Sequence, residues 1–178
     1  MKRSSISFHK NFLDLALLKK IKEYTNREVG AYKWKTSHGW KMEIKRFSSP
    51  IAIIEVPEVF CASIQQRFHK INAKWKPLNK NNIMFYVWPP GSYIGWHSDK
   101  GHEFGATIYL NENWNINHGG VFLYQSGKVN DPEGLKVRLP QYNECVINHK
   151  EIFHGVSIIA PDAPLRITLQ VFGSNENT

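Results

Sequence analysis

The sequence predicts a mainly β fold with flanking helices (α+β), in which helices of the N-terminal half support a β-rich core. Up to residue 80, apolar residues recur mostly at helical spacing. From residue 81 onward, short β-type runs are separated by glycine, proline, asparagine and aspartate. The composition, 42% hydrophobic and 13% aromatic, is that of a globular chain. We therefore expect one domain over 1–178, with helical support in 1–80 and the β core in 81–175.

The N-terminal half predicts two helices and one strand. Residues 10–25 have helical periodicity, and their apolar stripe consists of Phe12, Leu15, Leu18 and Ile21. The short apolar run Ile51–Val56 predicts a strand, and residues 58–76 have the spacing of a second helix that ends before Pro77. Residues 33–47 interleave aromatic residues with lysines, which favours a loop or an irregular hairpin.

The C-terminal half predicts many short strands. Seven β-type runs occur in about 90 residues: NIMFYVW, GATIYLN, GVFLYQ, KVRLP, ECVIN, IFHGVSII and LRITLQVF. So many short strands are typical of a sandwich or of a barrel-like double sheet.

The positive charge is concentrated in the first half of the chain. Residues 1–80 contain 17 Lys and Arg against 6 Asp and Glu, whereas residues 81–178 contain 6 against 9. A basic half could bind nucleic acid or another anionic partner. Solvated helix faces are the simpler interpretation, and they make nucleic acid the less favoured partner.

The cysteines and the apolar runs indicate the compartment. Cys61 and Cys145 lie far apart and form neither a disulfide framework nor a zinc pattern, as is usual in a reducing environment. No apolar run reaches the roughly 18 residues of a membrane span, and no apolar core follows Met1–Ser5 as in a secretory signal. We expect a cytoplasmic protein without a membrane partner.

A His-x-Asp pair begins the candidate metal site. In extended chain, His97 and Asp99 point to the same side and can reach one cation together. His154, in a predicted strand, can supply a third ligand. Two histidines and one carboxylate on one face of an octahedron are the ligand set of non-haem Fe(II) oxygenases.

An arginine in the last predicted strand indicates a bound anion. Alternation puts Arg166, Thr168, Gln170 and Phe172 on one face of that strand. An arginine that faces a β core needs an anionic partner, and a bidentate carboxylate satisfies it best.

These motifs together resemble a known family. WPPGSYIGWHSD, ATIYLNENWNINHGGVFLY and HGVSIIAPDAPLRITLQVF are similar to three successive motifs of the 2-oxoglutarate/Fe(II)-dependent dioxygenase superfamily. The similarity covers residues 84–173 and is strongest to the prolyl 4-hydroxylase-like branch. It implies a double-stranded β-helix (jelly-roll) core.

The resemblance also implies roles for individual residues. Iron would be bound by His97, Asp99 and His154. The distal carboxylate of 2-oxoglutarate would pair with Arg166, assisted by Tyr109 and Thr168. Ascorbate would be a candidate reductant, as in related hydroxylases. Trp88 stands where tyrosine is usual, and its indole offers a wall and a single N–H donor.

The implied reaction is hydroxylation of an amino-acid substrate, with succinate and CO2 as coproducts. The target would be a prolyl or other residue of a peptide or protein, or a free amino acid. The candidate substrate-binding residues are Trp88, His102, Gln170, Trp34 and Trp40. The last two lie in 33–47, which could form a lid over the pocket.

Two alternatives remain open. An AlkB-like oxidative demethylase of nucleic acid fits the same metal motif, but such proteins typically have a second arginine soon after the first, and none follows Arg166. A non-catalytic β-helix binding module fits the fold, but it does not require an intact ligand set. The sequence leaves the oligomeric state and the substrate undetermined.

Overall fold

The computed structural model describes residues 6–31, 51–75, 82–100, 102–125, 132–149 and 152–173. Within these ranges the chain forms two helices, α1 (Leu15–Ala31) and α2 (Glu58–Ile71). The strands are β1 (Ile6–His9), β2 (Ala52–Glu55), β3 (Ile83–Trp88), β4 (Ile94–His97), β5 (Phe104–Tyr109), β6 (Phe122–Gln125), β7 (Leu135–Arg138), β8 (Cys145–His149), β9 (His154–Val156) and β10 (Arg166–Gly173). Short 3-10 turns precede β6 and β7.

The strands form two antiparallel sheets. The larger sheet has the order β1-β8-β5-β10-β3-β2, and the smaller sheet has the order β4-β9-β6-β7. From β3 to β10 the chain crosses repeatedly between the sheets, with only β6 and β7 adjacent both in sequence and in one sheet. This is the jelly-roll arrangement, and it confirms the fold class expected from the sequence.

The two helices cover the outer face of the larger sheet. Their buried side chains, such as Ile21, Ile64 and Phe68, join one apolar cluster with Phe85 and Leu169 of the sheet. A second cluster, which includes Trp88 and Ile159, lies on the opposite face, where the two sheets meet. The helices therefore stabilise the larger sheet from behind and leave the space between the sheets for a site.

The first helix differs from the sequence prediction. It begins at Leu15 because Asp14 caps it, its carboxylate accepting a hydrogen bond from the Leu17 N–H (2.8 Å). Leu15 is 80% exposed, so its assignment to the buried stripe was wrong, and Leu17 joins Leu18 there instead. The helix also continues past residue 25 to Ala31.

The remaining elements mostly follow the prediction. The seven predicted strand runs and the strand after residue 51 are present, whereas β1 and β4 were not predicted. The second helix ends at Ile71 rather than at residue 76, because Asn72 is extended with φ −149°. Residues 33–47 lie outside the described ranges. In the part of the chain that the structure describes, no helix combines the length and the apolar character needed to cross a bilayer.

The thiol of Cys145 is expected to be unreactive in the folded protein. Cys145 is fully buried in the larger sheet, and burial raises its pKa well above the ordinary value, so the nucleophilic thiolate is scarce. An aromatic disulfide reagent should leave Cys145 unlabelled in the native protein and label it fully in guanidinium chloride, as measured by mass spectrometry of peptides. Native labelling as fast as that of the denatured chain would contradict this burial.

Candidate functional site

Three potential ligands meet at one end of the space between the sheets. His97 ends β4 and lies directly opposite His154, the first residue of β9, in an antiparallel pair. Asp99 follows two residues after His97. Its carboxylate lies 3.7 Å from Nε2 of His97 and 3.6 Å from Nε2 of His154. The three ligand atoms all lie within 4.8 Å of one another, a spacing that one metal ion can bridge.

Both histidines are held in the tautomer that a metal requires. Nδ1 of His97 donates to the carbonyl of Gly95 (2.8 Å), and Nδ1 of His154 donates to the carbonyl of Ile152 (2.9 Å). Because a carbonyl only accepts, Nδ1 carries a proton in both rings, and the neutral form of each ring then has its lone pair on Nε2. The two Nε2 atoms are those that face Asp99. Such backbone contacts fix the ring orientation of metal-binding histidines.

The electrostatics also favour a neutral imidazole at His154. Burial lowers the pKa of His154, and the neighbouring His97 lowers it further, against the opposite effect of Asp99. A neutral ring is the form that binds a metal. Phe122 packs against this ring with centroids 5.5 Å apart.

The carboxylate of Asp99 is held by two residues that the sequence did not reveal. Asn148 of β8 donates from Nδ2 to Asp99 Oδ2 (2.7 Å). Gly105 of β5 lies directly beneath the same oxygen, and a Cβ at this position would overlap it. Neither residue has a motif that could identify it, although an asparagine among the apolar residues of a predicted strand is a weak signal of a buried polar contact.

The same pocket contains a buried cation that has no ion-pair partner among the described residues. Arg166 is 2% exposed, and its three guanidinium nitrogens have no hydrogen-bond partner among the described residues. Its guanidinium group makes cation–π contacts with the rings of Trp88 and Tyr109, whose centroids lie 5.1 and 5.3 Å from the guanidinium carbon. Burial lowers its pKa, but an arginine remains charged. A buried charge of this kind indicates a missing anionic partner.

Tyr109 offers a hydroxyl at the same place. Its oxygen is buried and has no hydrogen-bond partner in the described part of the chain. Burial raises the pKa of Tyr109 to about 12 although the Arg166 charge acts in the opposite direction, so the phenol keeps its proton. Arg166 and Tyr109 thus present several donors and no negative charge.

Two consecutive glycines, Gly119 and Gly120, bring the backbone close to the Arg166 side chain. Gly119 and Gly120 both have positive φ, 63° and 59°, which favours glycine. A Cβ on Gly120 would press on the Arg166 side chain and on Trp114 at 3.2 and 3.3 Å. The two glycines therefore allow this backbone to lie close to Ile158 and to the Arg166 side chain.

The structure brings most of the predicted site residues into one pocket. The lining of this pocket includes the predicted residues His97, Asp99, His154, Arg166, Tyr109, Thr168, Trp88 and Gln170. His102 does not line it, but its ring packs against Phe172, a lining residue, with centroids 4.8 Å apart. Trp34 and Trp40 lie outside the described residues. The N–H of Trp88 is already donated to Thr168 (3.0 Å).

The pocket suits both groups that the sequence implied. Two imidazoles and a carboxylate that face one another fit Fe(II) and leave positions for other ligands. The unpaired guanidinium of Arg166 and the protonated phenol of Tyr109 fit a carboxylate at the far end of the same cavity. A dicarboxylate whose other end reaches the metal satisfies both.

Comparison with known proteins agrees with this description. No protein-family model and no curated protein sequence matches the chain. Among solved structures, a prolyl-4-hydroxylase from Pseudomonas putida has a TM-score of 0.74 at 17% identity, covering 98% of this chain and 95% of that chain. A prolyl hydroxylase from Trichoplax adhaerens, in complex with a hypoxia inducible factor oxygen degradation domain peptide fragment, has a TM-score of 0.72 at 15% identity, covering 98% of this chain and 85% of that chain.

A further similar structure is an oxidoreductase of the 2OG-Fe(II) oxygenase family from Burkholderia pseudomallei, with a TM-score of 0.65 at 16% identity, covering 95% of this chain and 84% of that chain. At such identities the similarity concerns the fold. The chain has the double-stranded β-helix fold of the 2-oxoglutarate/Fe(II) oxygenases, and its solved structural neighbours include prolyl hydroxylases.

Proposed function

We propose that the protein is an Fe(II)- and 2-oxoglutarate-dependent dioxygenase that hydroxylates an amino-acid substrate. The observation that carries this proposal is the buried, unpaired guanidinium of Arg166 in the same pocket as His97, Asp99 and His154. A structural arginine would have an anion of the protein beside it. A non-catalytic β-helix module would need neither the ligand set nor this cation.

In this proposal the three ligands hold iron on one side only. His97 and His154 present Nε2, and Asp99 presents a carboxylate oxygen whose orientation Asn148 fixes. Iron held by these three residues would keep coordination positions for small molecules.

At the other end of the pocket, Arg166 binds and orients the distal carboxylate of 2-oxoglutarate. Tyr109 donates a further hydrogen bond to it, because its phenol stays protonated. The rings of Trp88 and Tyr86 also line the pocket, and Phe122 lines it beside His154. When bound, iron and 2-oxoglutarate supply oxidative decarboxylation coupled to hydroxylation of the substrate, with succinate and CO2 as coproducts.

The substrate class rests on resemblance and on one structural neighbour. The prolyl hydroxylase from Trichoplax adhaerens was solved with a peptide fragment, which favours a prolyl or other residue of a peptide or protein here too. A free amino acid is the other form of the same substrate class. Phe172, which lines the pocket, and His102, whose ring packs against Phe172, are candidates for contacts with it.

Succinate formation tests this function. The protein with Fe(II) and 2-oxoglutarate should form succinate slowly alone and faster with free amino acids or proline-containing peptides. His97→Ala should reduce the rate to that of buffer, whereas His118→Ala, a histidine outside the pocket, should not change it. Omitting ascorbate should shorten the time course if it acts as reductant.

The possible outcomes separate the alternatives. No succinate from the wild-type protein, or equal succinate from His97→Ala, would contradict the enzyme and favour a binding module. Stimulation only by methylated oligonucleotides would contradict the amino-acid substrate and favour an AlkB-like activity.

A further inference from the structure

A chain of hydrogen bonds surrounds the hydroxyl of Thr168 in the candidate cosubstrate pocket. The indole N–H of Trp88 donates to Thr168 Oγ1 (3.0 Å), and Nε2 of Gln170 donates to the same oxygen (2.9 Å). Thr107 donates in turn to Oε1 of Gln170 (2.9 Å). All four side chains line the pocket, and three of them are buried.

This arrangement fixes the direction of the Thr168 hydroxyl. A hydroxyl oxygen has two lone pairs and one proton. Trp88 and Gln170 use both lone pairs, so the proton is what remains for a bound molecule. An indole N–H can only donate, so Trp88 cannot take this proton. Thr107 holds the carbonyl oxygen of Gln170, which keeps the amide nitrogen of Gln170 directed at Thr168.

A tryptophan and a tyrosine at position 88 would act differently on the Thr168 hydroxyl. A phenol both donates and accepts, so a tyrosine at this position could accept the proton of Thr168. The indole removes that competing acceptor while its ring covers Arg166, 5.1 Å from the guanidinium carbon. β10 brings both residues to one face, because Arg166 pairs directly with Trp88 and Thr168 follows two residues later.

We propose that Trp88 and Gln170 are positioning residues that hold the Thr168 hydroxyl as a donor to the cosubstrate carboxylate bound at Arg166. This rests on the proposed function. A carboxylate is only an acceptor, and Arg166 and Thr168 then present donors only, while the Tyr109 phenol has one proton to donate. The site is thus selective for an ionised carboxylate over a group that must donate, such as an amide or a protonated acid.

A double-mutant cycle on 2-oxoglutarate affinity tests the proposal. The affinity is measured by calorimetry with Mn(II)-loaded protein and without substrate, so that no turnover is needed. Thr168→Val should weaken binding by about tenfold, the effect of one hydrogen bond to a charged group. Trp88→Phe keeps an aromatic wall but removes the N–H, and it should weaken binding by about fivefold alone and by less than about twofold in the Thr168→Val background.

Gln170→Met provides a second arm if Trp88→Phe folds poorly. It removes the amide at similar volume, and its effect should likewise vanish in the Thr168→Val background. Mn(II) affinity should stay unchanged in all variants, because none of them contacts the ligands. 2-Oxoglutaramate, whose distal group is an amide, should bind the wild-type protein far more weakly than 2-oxoglutarate and lose little on Thr168→Val.

The outcomes distinguish this inference from the proposed function. Additive effects of Trp88→Phe and Thr168→Val, together with additive effects of Gln170→Met, would overturn the positioning role while 2-oxoglutarate still binds. A wild-type protein that does not bind 2-oxoglutarate in the presence of Mn(II) would overturn both.

Discussion

Replacing Gly105 with alanine is expected to weaken iron binding by about 100-fold, a loss at the upper end of that seen for supporting residues around metal ligands. The new Cβ would overlap Asp99 Oδ2 and press on Asn148 Nδ2 at 3.2 Å. Gly105 lies in a strand that is paired on both sides, with Asn148 of β8 and Phe172 of β10, so its backbone cannot move away. The side chain of Asp99 must therefore rotate, which removes one ligand from the metal.

The fold of the Gly105→Ala variant should survive, because the displaced atom is the end of a side chain near the surface of the pocket. We expect a small change in melting temperature and a large loss of Fe(II) or Co(II) affinity, measured by titration followed in the visible spectrum. Thr107→Ala is the matched control. It lies two residues along the same strand and contacts Gln170 instead of Asp99, so its metal affinity should equal that of the wild type. Equal affinities for both variants would contradict the role of Gly105.

The sequence could predict which candidate site residues share a face, because this depends on local spacing. His97 and Asp99 lie two residues apart in near-extended chain, and Arg166 and Thr168 alternate along one strand, so each pair faces one side whatever the rest of the fold does. The antiparallel pairing of His97 with His154 depends on strand register across distant segments. The sequence offered His154 as a third ligand in a predicted strand, but it did not predict this pairing.

Supporting residues could not be predicted in the same way. Gly105 contributes by having no side chain, and Asn148 reaches Asp99 from another strand, so neither leaves a local pattern. The start of α1 shows a related limit. Apolar spacing continues through Asp14, but Phe12 bonds through its N–H to the carbonyl of Asn143 (3.0 Å), and this contact with a distant turn holds it outside the helix.

Replacing Arg166 with methionine is expected to make the ligand-free protein more stable and to abolish 2-oxoglutarate binding. The wild-type protein buries a charge that has no hydrogen-bond partner among the described residues, and methionine fills similar space without that cost. Replacing buried ionic groups with apolar ones of similar size can stabilise a protein by about 1–4 kcal/mol. For a chain of this size that raises the melting temperature by several degrees.

Arg138→Met is the matched control, and it is expected to lower the melting temperature instead of raising it. Arg138 forms a bidentate ion pair with Glu144, a fully buried carboxylate, so its loss leaves that charge unpaired. Removing one partner of a buried pair costs about 3–5 kcal/mol, and somewhat less here because Arg138 is 29% exposed. Thermal melts of both variants, with and without 2-oxoglutarate and Mn(II), separate the two roles. Arg166→Met could instead lower the melting temperature of the ligand-free protein, as Arg138→Met does. In that case Arg166 has an anionic partner within the protein, and its charge is not available to a cosubstrate.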